Sequence, residues 1–259
     1  MIKISVVTCT YNASLVLKRT LDSVYNQYYT NIEHIIVDGK SKDETLAIVE
    51  DYKKQIENKG CSYKLVVVSE TDKGLYDAMN KAIGLASGDF VVYLNAGDIF
   101  HDQKTLETVA RAVEEAKDDV CVVYGETNIV DYNGCFIKKR HHSVPEKLTW
   151  KSFKNGMLVC HQSFYVNVSV AKKVYYDLNY KFSADVDWCI RIMKYADKNN
   201  MLLVNTHVVL TDFLDGGLTT ANHKKSLIER FDVMRRHYGL IVTIFMHVVF
   251  VIRSVFKHY

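Results

Sequence analysis

A single proline in 259 residues, with no tract rich in serine and glycine, leaves little room for a long linker or a disordered arm. The six cysteines, at positions 9, 61, 121, 135, 160 and 189, include no CxxC pair, and several lie inside apolar runs. This pattern reads as the reduced core or surface thiols of a cytosolic protein. No GxGxxG follows the first apolar run, which turns into TYNAS instead, and no GxxxxGK followed by Ser or Thr occurs. A dinucleotide fingerprint and a P-loop are therefore both absent. The N-terminal MIKISVVTCTYN alternates like a strand and lacks the apolar core of a signal peptide. A net charge of +3 is too small to imply a nucleic-acid partner.

What remains is an ordinary folded composition, 48% hydrophobic and 24% charged, long enough for one large domain with an appendage. Apolar runs and helical patterns alternate through the first half. Strands are expected at 4–11, 32–38, 64–70, 90–94 and 120–125. Helices are expected after Ser14 (Leu17, Leu21 and Val24 inward), after a capping box at Ser41–Glu44, over 75–87 before Gly88, and around 104–117. Beyond Gly125, Asn133-Gly134 between two alternating runs signals a hairpin over 127–139. A strand at 161–166, a helix near 185–197 and a strand at 202–210 follow. The expected class is α/β, a mostly parallel sheet flanked by helices, with a small antiparallel hairpin region and a helical C-terminal tail.

In an open α/β sheet, ligands bind outside the carboxyl ends of the strands. Polar residues gather at four such ends: Thr8, Thr10, Tyr11 and Asn12; Asp38-Gly39; Glu70 to Gly74; and Asn95 to Asp98. With no phosphate-binding glycine loop, a bound diphosphate would need another counter-charge, and Asp98 suggests a divalent cation held by carboxylate oxygen.

The segments VVTCTYNA, VDGKSKDET, ETDKGLYDAMNKAIGLASGDF, LNAGD and ADVDWCIR, in this order, resemble glycosyltransferase family 2, from residue 4 to about 220. The resemblance implies a GT-A fold and an inverting enzyme that takes a sugar from a nucleotide-diphospho-sugar. Residues 1–225 would form the GT-A domain, with 1–125 as the donor part and 126–225 as the acceptor side, followed by a tail at 226–259. It implies donor contacts at Thr8, Tyr11, Asn12, Asp38, Asp72, Lys73 and Asn95, with Asp38 suited to the N3–H of uracil. LNAGD stands where relatives often carry LDADD. Asp98 is then the remaining anionic ligand for Mn²⁺ or Mg²⁺, on a turn expected to be open to solvent. Asp185 takes the place of the catalytic base, and His161 and Asp187 fall on the acceptor side. A glycan or a lipid-linked molecule is the expected acceptor. A non-catalytic nucleotide-sugar-binding or scaffold protein of the same fold is the alternative, supported by Asn95 and Gly97 replacing acids and by Ala184.

Between Arg236 and Arg253 lie 16 residues interrupted by His247, fewer than the ~20 a bilayer span needs. The tail is expected to be either a packed helix or an interfacial anchor whose basic flanks favour the inner face of the cell membrane.

Overall fold

The computed structural model describes residues 1–59, 63–140, 143–216 and 222–255. The alternation expected in the first half is present as β1 (Ile4–Thr10), α1 (Leu17–Tyr25), β2 (Ile32–Asp38), α2 (Thr45–Lys59), β3 (Lys64–Ser69), α3 (Leu75–Leu85) and β4 (Phe90–Tyr93). A two-residue β5 (Ile99–Phe100) and α4 (Thr105–Glu114) come next, then β6 (Val120–Val130) and β7 (Phe136–Lys139). The chain continues through β8 (Phe164–Asn167), α5 (Val168–Ala171), α6 (Ala184–Lys198) and β9 (Leu202–Leu214). It ends in α7 (His223–Tyr238) and α8 (Leu240–Val255).

Among the described residues the strands form one sheet in the order β3-β2-β1-β4-β8-β6-β9-β5, with β7 paired to β6. β1 to β4 are mutually parallel, so their carboxyl ends share one edge. β8 runs antiparallel to both β4 and β6, which returns β6 and its parallel neighbour β9 to the direction of β4. The α/β, mostly parallel sheet flanked by helices is thus the observed architecture.

Every residue of β1 and β2 is buried, the result of covering both faces of a parallel sheet with helices. On one face, Leu17, Leu21, Val49, Tyr52 and Leu106 pack beneath α1, α2 and α4. On the other, Met79, Ile83, Trp188 and Ile192 come from α3 and α6. Trp188 stacks on Tyr176 and meets Tyr93 and Phe164 edge-on, which fixes α6 against the β4–β8 region of the sheet.

Local expectations change at several points. The capping box at 41–44 does not form. Asp43 caps α2 by accepting the Thr45 N–H, while Ser41 turns back to the Asp38 carboxylate. α3 ends at Leu85, before Gly88, where a Cβ would lie 2.7 Å from the Lys3 carbonyl oxygen; this glycine permits a backbone crossing. β6 runs unbroken through residue 125 and supplies one arm of the expected hairpin. The strand expected at 161–166 opens as a 3-10 turn over His161–Ser163. The tail residues Lys257 and His258 lie outside the described residues.

Candidate active site

The carboxyl edge of β1, β2 and β3 forms one polar corner. Tyr11 projects from it, 63% exposed. Gly39 brings its neighbours close, because a Cβ there would sit 2.9 Å from Asp72 Oδ2 and 3.1 Å from the Tyr11 ring. Asn12, at φ 47°, clamps the next loop: its N–H donates to Ser41 Oγ and its Oδ1 accepts the Lys42 N–H. Asp72 accepts the Gly74 N–H, and Lys73 is exposed beside it. Tyr11, Asn12, Asp72 and Lys73 therefore gather where a flat, polar ligand could dock.

Two expected donor contacts lie beneath that corner instead. Thr8 is fully buried; its hydroxyl donates to the Leu94 carbonyl at 2.9 Å and lies 3.0 Å from His34 Nε2. Asp38 is also fully buried, its oxygens taken by Ser41 N–H at 3.0 Å, by the Ser41 hydroxyl and by the Ser69 hydroxyl at 2.6 Å. Both hold the floor of the corner together: Asp38 has its oxygens satisfied by three local donors, and the Thr8 hydroxyl is turned inward to Leu94 and His34.

A second group forms between β4 and α6. Asp185, in the first turn of α6, has a side chain only 16% exposed. Its Oδ1 accepts the Tyr76 hydroxyl at 3.2 Å and the Val186 N–H at 2.9 Å, and its Oδ2 lies 3.4 Å from His161 Nδ1. The Asn95 amide reaches His161 Nε2 at 3.3 Å. With its proton on Nδ1, His161 donates to Asp185 and accepts from Asn95, which satisfies both contacts. Burial pushes the Asp185 carboxyl up. The His161 hydrogen bond, Arg230 and the Val186 N–H outweigh it, leaving the group below the usual carboxylate range.

Glu229 of α7 supports this arrangement from behind. Its carboxylate accepts the N–H groups of Lys181, Phe182 and Ser183, the loop that delivers Asp185. Neither Glu229 nor Tyr76 was visible as a site residue in the sequence. Tyr76 lies inside a recognised segment, but nothing in its spacing places it next to Asp185, 109 positions on.

Asp98 does not occupy the open turn expected of a metal ligand. It is 4% exposed, with Oδ2 accepting Gln162 Nε2 at 2.9 Å and Oδ1 accepting the Leu214 N–H at 3.0 Å. Burial, against these two bonds, raises its carboxyl to about 6. The small residues around it serve packing: a Cβ on Gly97, at φ 102°, would sit 2.7 Å from Leu214 Cδ2. Asp98 thus ties the turn between β4 and β5 to the end of β9. No cluster of three or more His, Cys, Asp or Glu able to hold a metal occurs among the described residues. What the turn after β4 does offer is Asn95 Oδ1, a buried carbonyl oxygen with no partner among them.

Asp187 also points away from the acceptor side. It is 2% exposed, bound to Arg191 Nε at 2.6 Å and His237 Nε2 at 2.8 Å, and so locks α6 to α7. At helical spacing, two positions on from Asp185 is nearly the opposite face.

A site of this kind at the carboxyl edge of such a sheet can be set beside known proteins. Residues 5–174 match the model of glycosyl transferase family 2. The chain belongs to this family. A PGL/p-HBAD biosynthesis glycosyltransferase of Mycobacterium bovis is 30% identical over 240 residues, 90% of this chain and 85% of that relative. The amylovoran biosynthesis glycosyltransferase AmsB of Erwinia amylovora is 32% identical over 221 residues, 80% of this chain and 70% of its own. Among solved structures, S. aureus TarS in complex with UDP-GlcNAc superposes with a TM-score of 0.68 at 20% identity, covering 90% of this chain. This chain spans 64% of that TarS chain. Glucosyl-3-phosphoglycerate synthase from Mycobacterium tuberculosis, in complex with Mn²⁺, UDP and glucosyl-3-phosphoglycerate, gives a TM-score of 0.61 at 15% identity, covering 91% of this chain and 80% of its own. The chain is accordingly a glycosyltransferase with a GT-A fold, which sets aside the scaffold alternative.

Proposed function

We propose that this glycosyltransferase moves a sugar from a nucleotide-diphospho-sugar, a UDP-sugar first, to a hydroxyl of a glycan or lipid-linked acceptor with inversion. One observation carries the reading: the Asp185 carboxylate stands at the carboxyl side of the sheet, hydrogen-bonded by the Tyr76 hydroxyl at 3.2 Å and 3.4 Å from His161 Nδ1. An inverting transfer needs a carboxylate that takes the acceptor's proton as the sugar arrives. The acceptor oxygen forms the new bond to C1, the C1–oxygen bond to the diphosphate breaks with its electrons leaving on the nucleoside diphosphate, and Asp185 receives the proton. In this reading Tyr11, Asn12, Asp72 and Lys73 receive the nucleotide, Tyr11 by stacking under the base. The neighbours' complexes with UDP and UDP-GlcNAc support the donor class.

Mn²⁺ accompanies UDP in the glucosyl-3-phosphoglycerate synthase complex. A divalent cation arriving with the donor here would find Asn95 Oδ1 and the phosphates as its oxygens, not Asp98, and would supply neutralising charge to the leaving diphosphate. A panel of UDP-, GDP- and dTDP-sugars, assayed for protection against thermal unfolding with and without Mn²⁺, tests the reading. A UDP-sugar should raise Tm most; no protection by any sugar nucleotide would remove the donor assignment.

Glu229→Ala should lower kcat by about ten- to a hundredfold with little change in the donor's KM. The carboxylate anchors the loop carrying the base, and misplacement of a reacting group by about 1 Å can cost that much. Steady-state kinetics against donor concentration check this. A rise in donor KM at constant kcat would show that Glu229 serves the donor side instead.

A further inference from the structure

α8 carries its most apolar face outward. Thr243 is fully buried and Met246 is 6% exposed, both on the side packed against α7, where His247 also meets the Phe231 ring. On the opposite side Ile241, Ile244, Phe245, Val248 and Ile252 recur at three- and four-residue spacing, with Ile241 85% and Phe245 65% exposed. These five form one stripe, and no described residue covers it. Soluble helices place this stripe inward. Left uncovered, such a stripe is a candidate contact surface.

The shape and charge of the stripe say what it meets. A 16-residue helix is roughly 24 Å long and about 10 Å wide, which gives a face of roughly 240 Å². That falls well short of the ~800 Å² per partner that a stable protein pair buries. A lipid surface needs no matched partner surface of that size. From Gly239 to the end of the sequence there is no Asp or Glu, while Arg253 and Lys257 are basic. The 3-10 turn Trp150–Asn155, which packs against α8, adds the exposed Lys151 and Lys154. No helix among the described residues is long and apolar enough to cross a membrane, so α8 is suited to lie along one.

We propose that α8 is an interfacial helix that docks this protein on an anionic lipid bilayer. Ile241, Ile244, Phe245, Val248 and Ile252 enter the acyl boundary, and Lys151, Lys154 and Arg253 meet the headgroup phosphates. Contact with α7 and the 3-10 turn couples the docked helix to α6, the element that carries Asp185.

Flotation of the full chain with vesicles of phosphatidylglycerol and phosphatidylcholine at low salt tests this without reference to activity, so it stands or falls apart from the transferase reading. The protein should rise with these vesicles, bind pure phosphatidylcholine less, and be released as salt is raised. Phe245→Ser with Val248→Ser should weaken vesicle binding by at least about tenfold and change Tm little, because both side chains are more than half exposed. Full-length protein that stays in the soluble fraction at low salt overturns the proposal, whatever the variant does. So does a full-length dimer by light scattering that the double variant converts to monomer without any vesicle binding, which would assign the stripe to a second copy.

Discussion

Asp185→Asn is expected to lower kcat by about 10²–10⁴-fold, the usual worth of a general base, while the affinity for the donor stays close to wild type. The amide has the shape of the carboxylate and can still accept the Tyr76 hydroxyl and the Val186 N–H at its oxygen. It cannot take a proton from an acceptor hydroxyl. Its new N–H₂ would face His161 Nδ1, and the imidazole can change tautomer to accept it, so the fold should hold. Single-turnover transfer, with donor binding followed separately by calorimetry, distinguishes the two steps. Wild-type kcat in this variant would remove Asp185 from the chemistry. Asp187 would not replace it as a candidate, because Arg191 and His237 hold its carboxylate on the α7 side.

Asp98→Ala is expected to act on stability rather than on any metal dependence. The substitution leaves the Gln162 amide and the Leu214 N–H buried without an acceptor, at about 1–3 kcal/mol for each unpaired group. Relief from burying a carboxylate offsets part of this. A net loss of about 2–4 kcal/mol, or roughly 4–16 °C in Tm, follows for a chain of this size. The pH dependence supplies the sign. The Asp98 carboxyl rises from 3.8 to about 6 on folding, so its contribution is fully present below pH 3.8 and is lost as pH rises through about 6. The stability gap between wild type and Asp98→Ala should therefore widen as pH falls from 7 toward 4. Chemical denaturation at several pH values measures it. Unchanged Tm in the variant, with Mn²⁺ enhancement of donor binding abolished, would return Asp98 to the metal site.

The strand–helix alternation of residues 4–114 was legible because each buried parallel strand is a continuous apolar run and each covering helix repeats its apolar residues every three or four positions. Leu17, Leu21 and Val24 are buried as that period requires. The elements after Gly125 were less legible. β6 carries both a buried segment and a hairpin arm, so its apolar pattern changes within one strand. The 3-10 turn at His161–Ser163 has too few residues to show any period.

For the site, the sequence by itself determined which chemical groups stand at the strand ends and at the start of α6. The family resemblance singled out Tyr11, Asn12, Asp72, Asn95, His161 and Asp185, and for those at strand ends parallel pairing gives the reason they could meet. Only the tertiary structure decided which way each acid faces. Asp98 meets Gln162 and Leu214, 64 and 116 positions away, and Asp187 meets His237, 50 positions away. Asp185 depends on Tyr76 and His161 for its aim, and on Glu229 for its loop. A carboxylate turns toward the donors that replace its water. Those donors come from distant parts of the chain, where local spacing carries no trace of them.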